Sequence, residues 1–256
     1  MTQRTMSGLE PLLALLRPLT GAVAAYSGGV DSTLLAFAAH TALGPRALAV
    51  TVRSAFTAPG DLDLALDKAR ALGLNHRVLD LDVWAVPGLS ANGPDRCYLC
   101  KRAVLTPLAA LAAQGVALLE GTNADDDPAR PGRRAVAELG ALSPLAEAGL
   151  DKAAVRALSR DLGLPGWDAP SNSCLATRIP TGTPLTPAAL ERVDRLETVA
   201  RGLGLSALRC RDRGETLVLE IPPDQLPLAR NNENTLVEAA RAAGFSGLII
   251  KERTSA

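Results

Sequence analysis

Short apolar runs alternate with amphipathic stretches through the first 165 or so residues of the chain. The runs "GAVAAYS" (21–27), "RALAVTV" (46–52), "NHRVLDL" (75–81) and "GVALLEG" (115–121) predict strands. Between them, "STLLAFAAHTAL" (32–43), "DLDLALDKARALG" (61–73) and a stretch over roughly 97–114 carry apolar residues at helical spacing. Strands alternating with helices of about a dozen residues predict βαβ units on a doubly wound parallel sheet, an α/β fold. In such sheets ligands bind beyond the carboxyl ends of the strands.

After residue 165 the pattern changes. A Pro/Gly/Ser/Asn-rich stretch, "LPGWDAPSNSCLATRIPTGTPLTP", precedes a long helix with Leu190, Val193, Leu196, Val199, Ala200 and Leu203 on one face. Two strand-like runs, "LSALRCR" and "ETLVLEI", are expected to join at Asp212-Arg213-Gly214, followed by a helix over about 231–243 and a last strand "GLIIKE". We therefore expect a nucleotide-binding domain over 1–168, a linker carrying Cys174 over 169–186, and a small α+β domain over 187–256 for substrate binding or oligomerisation.

Composition narrows the functional classes. The chain has 256 residues, 47% of them hydrophobic, and no apolar run long enough to span a membrane. Its N-terminal segment has no cleavage-site pattern, which points to a cytoplasmic protein. Lys plus Arg and Asp plus Glu both number 27, and aromatic residues make up 3%. Zero net charge and few stacking platforms count against a nucleic-acid substrate. The two histidines, His40 and His76, lack partners at metal-site or triad spacing and read as structural. The four cysteines of a cytosolic chain are expected as thiols.

The sharpest local signal is "AYSGGVDSTLLA" (25–36), where a strand runs into Ser27-Gly28-Gly29 and then Asp31-Ser32 at a helix start. Paired glycines permit a tight turn whose N–H groups face an anion, and the helix adds its positive end. A phosphate suits the loop. It lacks the lysine of the GxxxxGKS phosphate loop, and Asp31 offers instead a carboxylate for Mg²⁺. The plainer alternative is a strand-to-helix turn with a Ser/Asp cap.

Ser27, Gly28, Gly29, Asp31 and Ser32 resemble the pyrophosphatase loop (PP-loop) of the N-type ATP pyrophosphatases. A second cluster, "EGTNADDDPARPGRRA" (120–135), lies at another strand end, with Gly121, Thr122, Asn123, Asp125 and Asp126 as ATP-site candidates. Together with "SPLAEAGLDKAAVRALSRDLGLPGWDAPSNSCLATRIPTG" (143–182) and "LRCRDRGETLVLEI" (208–221), these motifs resemble the LarE family of ATP-dependent sulfur transferases over about residues 8 to 250. The resemblance implies adenylation of a carboxylate of pyridinium-3,5-dicarboxylate mononucleotide, release of pyrophosphate and sulfur insertion, in assembly of the nickel-pincer nucleotide of lactate racemase. It also implies ATP and Mg²⁺ as cofactors, other nickel-pincer biosynthesis proteins as partners, and hexamers. One departure is Pro128, where the family often has a further acidic residue; Asp127 is adjacent.

Cys174, in "SNSCLATR", matches the family cysteine that in some members gives up its own sulfur and is left as dehydroalanine. Cys97 and Cys100, in "DRCYLCK", make a CxxC pair near a helix start, where the dipole favours thiolate. With Cys174 they resemble the three-cysteine branch of the family, which holds a [4Fe–4S] cluster with one open iron. Sacrificial Cys174 beside an idle CxxC, structural zinc, a redox dithiol and inert thiols remain the other readings.

Arg209 and Arg211 stand two apart on a strand and so share a face, with Cys210 on the other. The resemblance makes this pair a clamp for the substrate phosphate, with Arg178 as a further candidate; solvated edge arginines are the plainer view. Glu197 and Glu220 either orient these arginines or bind a metal. Trp84 and Trp167 line a pocket or pack, and loop 82–96 is a candidate cover for the site. A tRNA-thiolating enzyme and a non-catalytic adenine-nucleotide sensor are the alternatives. The first would want a basic surface or an RNA-binding appendage, and the zero net charge and scarce aromatics count against it; the second would have no use for Asp31, Cys174 and the arginine pair.

Overall fold

A computed structural model of the chain describes residues 3–112, 115–170 and 173–253. The chain forms two compact units. One takes in the described residues of 1–54, 59–86 and 95–169, and the other those of 55–58, 87–94 and 170–256. The described residues of 170–186 thus belong to the second unit, together with two short excursions from the first half of the chain.

In the first unit the order is α1 (Gln3–Leu16), β1 (Ala22–Ala25), α2 (Val30–Leu43), β2 (Ala47–Arg53), α3 (Pro59–Ala71), β3 (His76–Asp80), α4 (Arg96–Leu111), β4 (Ala117–Leu119), α5 (Pro131–Glu138), α6 (Pro144–Glu147) and α7 (Lys152–Asp161). The strands form one parallel sheet in the order β3-β2-β1-β4. Side-chain alternation on β1 splits the core. Ala22 and Ala24 join a cluster with Leu9, Leu12 and Leu16 of α1, Leu34 and Leu35 of α2 and Val155 of α7. Val23 joins Leu105 and Leu108 of α4. Helices therefore cover both faces, as the near-continuous apolar strands predict.

Strand order reverses direction at β1, which pairs with β2 on one side and β4 on the other. This is the switch point at which open parallel sheets bind ligands. Both motif-bearing loops, 26–29 and 120–127, leave from this pair of strands. Beside them, the Thr51 hydroxyl contacts the Tyr26 carbonyl (2.9 Å) and His76 Nε2 (2.8 Å). The hydroxyl can donate only to the carbonyl, so Nε2 carries the proton that it accepts. His76 is thus held in the sheet by this bond, while His40 lies within α2.

The second unit contains α8 (Pro187–Gly202), β5 (Arg209–Arg213), β6 (Thr216–Ile221), α9 (Leu226–Asn231), α10 (Glu233–Ala242) and β7 (Gly247–Glu252). β5 and β6 are antiparallel, and β6 and β7 parallel. Leu190, Val193, Leu196 and Ala200 of α8 are buried, as are Cys210, Leu217, Leu219 and Ile221 of the sheet. The hairpin turns at Gly214-Glu215, later than the composition of 212–214 suggests. Asp212 is drawn into the strand because its buried carboxylate binds Arg192 and the Gly214 amide.

Candidate functional site

The β1 ladder continues one residue past the strand, through Tyr26 N–H to the Val50 carbonyl. The chain then turns at Gly28, whose φ of +74° is in the left-handed region, and α2 begins with Gly29 as its N-cap. No side chain caps this helix. Instead, Ser32 Oγ donates to the Gly29 carbonyl (3.0 Å) and accepts the Ser27 amide (3.2 Å) and the Ser27 hydroxyl (3.1 Å). The Gly29 N–H makes only a long 3.4 Å contact with Ser27 Oγ. A helix start whose first amides lack intrahelical partners, lined by two hydroxyls, suits a phosphate.

The second motif meets the first directly. A Cβ at Gly121 would lie 3.3 Å from the Ser32 amide nitrogen, so the end of β4 rests on the first turn of α2. Beyond it, Asn123 Nδ2 donates to Asp31 Oδ1 (3.2 Å). Asn123 itself is fixed by its amide donating to Asp126 Oδ2 (3.0 Å) and its Oδ1 accepting from the Asp125 amide (2.9 Å). Asp125 Oδ2 accepts the Lys152 amide (2.8 Å), and the Lys152 ammonium forms an ion pair with Asp31 Oδ2. Gly121, Asn123, Asp125, Asp126, Asp31 and Ser32 are thereby brought together at one sheet edge, while Thr122 points its amide at Glu120 Oε1 (3.2 Å). Lys152 was not legible as a site residue: it opens α7 after the cap Asp151 and looks like any first-turn lysine.

Asp31 has the chemistry for Mg²⁺, a hard oxygen donor beside a phosphate site, since that ion commonly uses one or two protein carboxylates and completes its shell with phosphates and water. Its side chain is 22% exposed, and in this structure Lys152 supplies the balancing charge.

Cys97 lies exposed in the first turn of α4, and Cys100, half-buried, follows at the start of the second. The next residue, Lys101, reaches Glu120 Oε2 at 2.9 Å. Glu120 is 1% exposed and also accepts from Ser143 Oγ (2.6 Å) and Arg133 (3.4 Å). Burial alone would raise the Glu120 pKa, but the Lys101 charge and the bonds from Ser143 and Thr122 outweigh it and hold the carboxyl below its ordinary value. One buried carboxylate thus ties the CxxC helix to the 120–127 loop. E120Q should cost about 2–3 kcal/mol in a urea melt at pH 7, since it leaves two cations without their partner. The sign of the pH dependence follows from the lowered pKa: the carboxylate's contribution is complete above the ordinary value of 4.5 and fades as the pH falls through the lower folded value. The gap between wild type and E120Q should therefore close on acidification.

In the second unit Cys174 is exposed and begins a helical turn over Leu175–Arg178. Its carbonyl accepts from the Thr177 amide (3.0 Å) and hydroxyl (2.7 Å). Arg178 is 1% exposed. It donates from Nε to Glu197 Oε1 (2.6 Å), from Nη2 to Glu197 Oε2 (3.3 Å) and from Nη1 to the Ser173 carbonyl and hydroxyl (3.0 and 2.8 Å). Arg178 accordingly shapes the cysteine turn. Each Glu197 oxygen accepts twice, the remaining bonds coming from Arg201 (2.8 Å) and the Cys210 amide (3.0 Å). A carboxylate so used orients arginines and leaves no lone pair for a metal; Glu220 accepts once at each oxygen, from Arg211 (3.1 Å) and Lys251 (3.3 Å).

Arg209 and Arg211 share a face of β5, and Arg211 also donates to the Thr177 carbonyl (2.7 Å). Arg209 Nε is buried with no hydrogen-bond partner. Burial lowers the Arg209 pKa, and the neighbouring charges of Arg253, Arg211 and Arg178 add to the effect against Glu220. A buried guanidinium nitrogen lacking an acceptor among like charges suits an anion. Cys210 points the other way, 0% exposed, with its thiol pKa pushed well up by burial and by Glu197.

Cys97 and Cys100 belong to the first unit and Cys174 to the second. Among the described residues no three His, Cys, Asp or Glu side chains gather as a metal site. The Trp84 amide donates to the Asp82 cap (2.9 Å), and Trp167 is 38% exposed near Arg160.

Comparison with known proteins agrees with this geometry. Residues 13–86, the span from α1 through β3 that includes the phosphate loop, match the NAD synthase family. A protein of Synechocystis with no assigned function is 41% identical over 224 residues, covering 86% of this chain and 83% of that protein. The pyridinium-3,5-bisthiocarboxylic acid mononucleotide synthase of Lactiplantibacillus plantarum is 34% identical over 215 residues, 82% of this chain and 78% of the synthase. The chain belongs to the LarE family. A Methanocaldococcus jannaschii protein, also without an assigned function, is 28% identical over 232 residues, 89% and 88% of the two chains. The chain is thus a PP-loop enzyme of the LarE family, ATP-dependent and sulfur-transferring. Among the described residues no helix is long and apolar enough to cross a membrane.

Proposed function

We propose that this enzyme adenylates a carboxylate of pyridinium-3,5-dicarboxylate mononucleotide and replaces the AMP with sulfur, giving a thiocarboxylate for nickel-pincer nucleotide assembly. The observation that carries the reading is the meeting of Asp31, Asn123 and Lys152 at the end of the phosphate loop. Family membership, the substrate class named for the Lactiplantibacillus relative and the anion-ready Arg209 support it.

A carboxylate resists nucleophiles, and activation as a mixed anhydride provides a leaving group. In the first step a substrate carboxylate oxygen bonds to the α-phosphorus of ATP, the bond to the β-phosphate oxygen breaks, and pyrophosphate departs. Asp31 would hold Mg²⁺, whose charge favours that departure, and Lys152 lies beside it to follow the developing negative charge. In the second step sulfur bonds to the acyl carbon and AMP leaves. With Cys174 as donor, its thiolate forms a thioester; loss of the Cα proton then breaks Cβ–S, releasing the thiocarboxylate and leaving dehydroalanine. The [4Fe–4S] cluster that Cys97, Cys100 and Cys174 would hold is the alternative sulfur carrier.

The test is protein purified without oxygen and incubated with ATP and the pyridinium nucleotide. Pyrophosphate release that requires the nucleotide, and a thiocarboxylate product, are expected. Release that requires tRNA instead, or none at all, would overturn the reading. Intact mass lowered by one H₂S identifies Cys174 as the sulfur source, whereas unchanged mass with bound iron and sulfide identifies the cluster.

A further inference from the structure

Lys68 lies outside every motif legible in the sequence, yet it touches the phosphate loop. From α3 its ammonium donates to the Gly28 carbonyl at 2.7 Å. One turn earlier on the same helix, Ala65 presses on Gly28 so closely that a Cβ there would lie 2.7 Å from the alanine's Cα and Cβ. Gly166, in turn, leaves room for the ammonium: a Cβ at that position would sit 2.5 Å from Lys68 Nζ. Burial lowers the Lys68 pKa, with Asp61 and Asp168 favouring the charged form.

Peptide planarity gives this contact a consequence. In a trans peptide the carbonyl and the following N–H point in opposite directions. A Gly28 carbonyl held by Lys68 therefore turns the Gly29 N–H toward the loop hydroxyls, where its 3.4 Å approach to Ser27 Oγ is too long to occupy it fully. Rotation of that peptide, which paired glycines resist little, would present a carbonyl oxygen where the amide now stands and would repel a phosphate.

We propose that Lys68 is a positioning residue that locks the Gly28–Gly29 peptide in its anion-accepting orientation, supplying from α3 a cation that the loop itself lacks. The proposal rests on the ATP reading of the loop.

The test compares dissociation constants for ATP and for adenosine, which carries no phosphate, in wild type, K68M and K68R. K68M should weaken ATP about tenfold, the loss of one charge-assisted hydrogen bond, and leave adenosine unchanged; K68R should recover most of the loss. K68Q replaces K68M if the latter does not fold, as judged by thermal melting. Unchanged ATP affinity, or equal losses for both ligands, would overturn the proposal. A wild-type chain that binds adenosine but not ATP would overturn the nucleotide reading as well, before any variant is compared.

Discussion

Replacing Cys174 with serine is expected to abolish thiocarboxylate formation while a single turnover of pyrophosphate release persists. In the proposed mechanism the two half-reactions draw on residues of different units, Asp31 and the phosphate loop in the first and Cys174 in the second. Serine preserves the turn, because Thr177 binds the backbone carbonyl of residue 174 and not its side chain. It cannot deliver sulfur by either route. An effect made only in the second step lowers product formation and spares the first. Quenched-flow pyrophosphate measurement beside mass spectrometry of the product checks it. Loss of both half-reactions would show that Cys174 serves adenylation too. C97S separates the routes: a cluster carrier fails without Cys97, whereas a sacrificial Cys174 still transfers its one sulfur.

Alanine at Gly28 should cost the enzyme ATP binding on the order of a hundredfold or more, from two additive causes. At φ +74° a Cβ is strained by about 1–2 kcal/mol. It would also stand 2.7 Å from the backbone and side chain of Ala65, which is 1% exposed and packed with Tyr26, Ala36, Ala49 and Ala69. Neither side can yield without moving α3 or the loop. Gly29 is the control: its φ is −71°, and a Cβ would meet only Ser27 Oγ at 3.4 Å. G29A should melt near wild type and G28A several degrees lower, with the ATP dissociation constant of G28A showing the larger defect. Equal behaviour of the two variants would remove the argument for a braced turn.

Much of the site was legible because its parts sit where local pattern places them. Alternating apolar strands and amphipathic helices mark the sheet, and strand ends mark its ligand edge, so Ser27–Ser32 and 121–126 could be assigned to one region. The paired arginines followed from strand periodicity alone. Lys68 and Lys152 were not legible. The Asp31–Lys152 pair spans 121 positions and the Lys68–Gly28 contact 40, and an isolated lysine on an amphipathic helix carries no sign of what it will meet. Arg178 shows the converse. Beside Cys174 it looks like a phosphate ligand, and the tertiary structure adds what no local pattern shows, its burial against Glu197 and its bonds to the cysteine turn.

By itself, then, the sequence determined the parallel α/β sheet, the glycine turn with its carboxylate and the family, since these depend on local periodicity and contiguous motifs. The tertiary structure alone decided which charges meet: Lys152 on Asp31, Lys68 on the loop carbonyl, Glu120 between Lys101 and Arg133, Glu197 saturated by arginines and Arg209 left without an acceptor at Nε. The reason is physical. Hydrophobic period reports which face of an element is buried, whereas the pairing of ions depends on which distant segments that burial brings together.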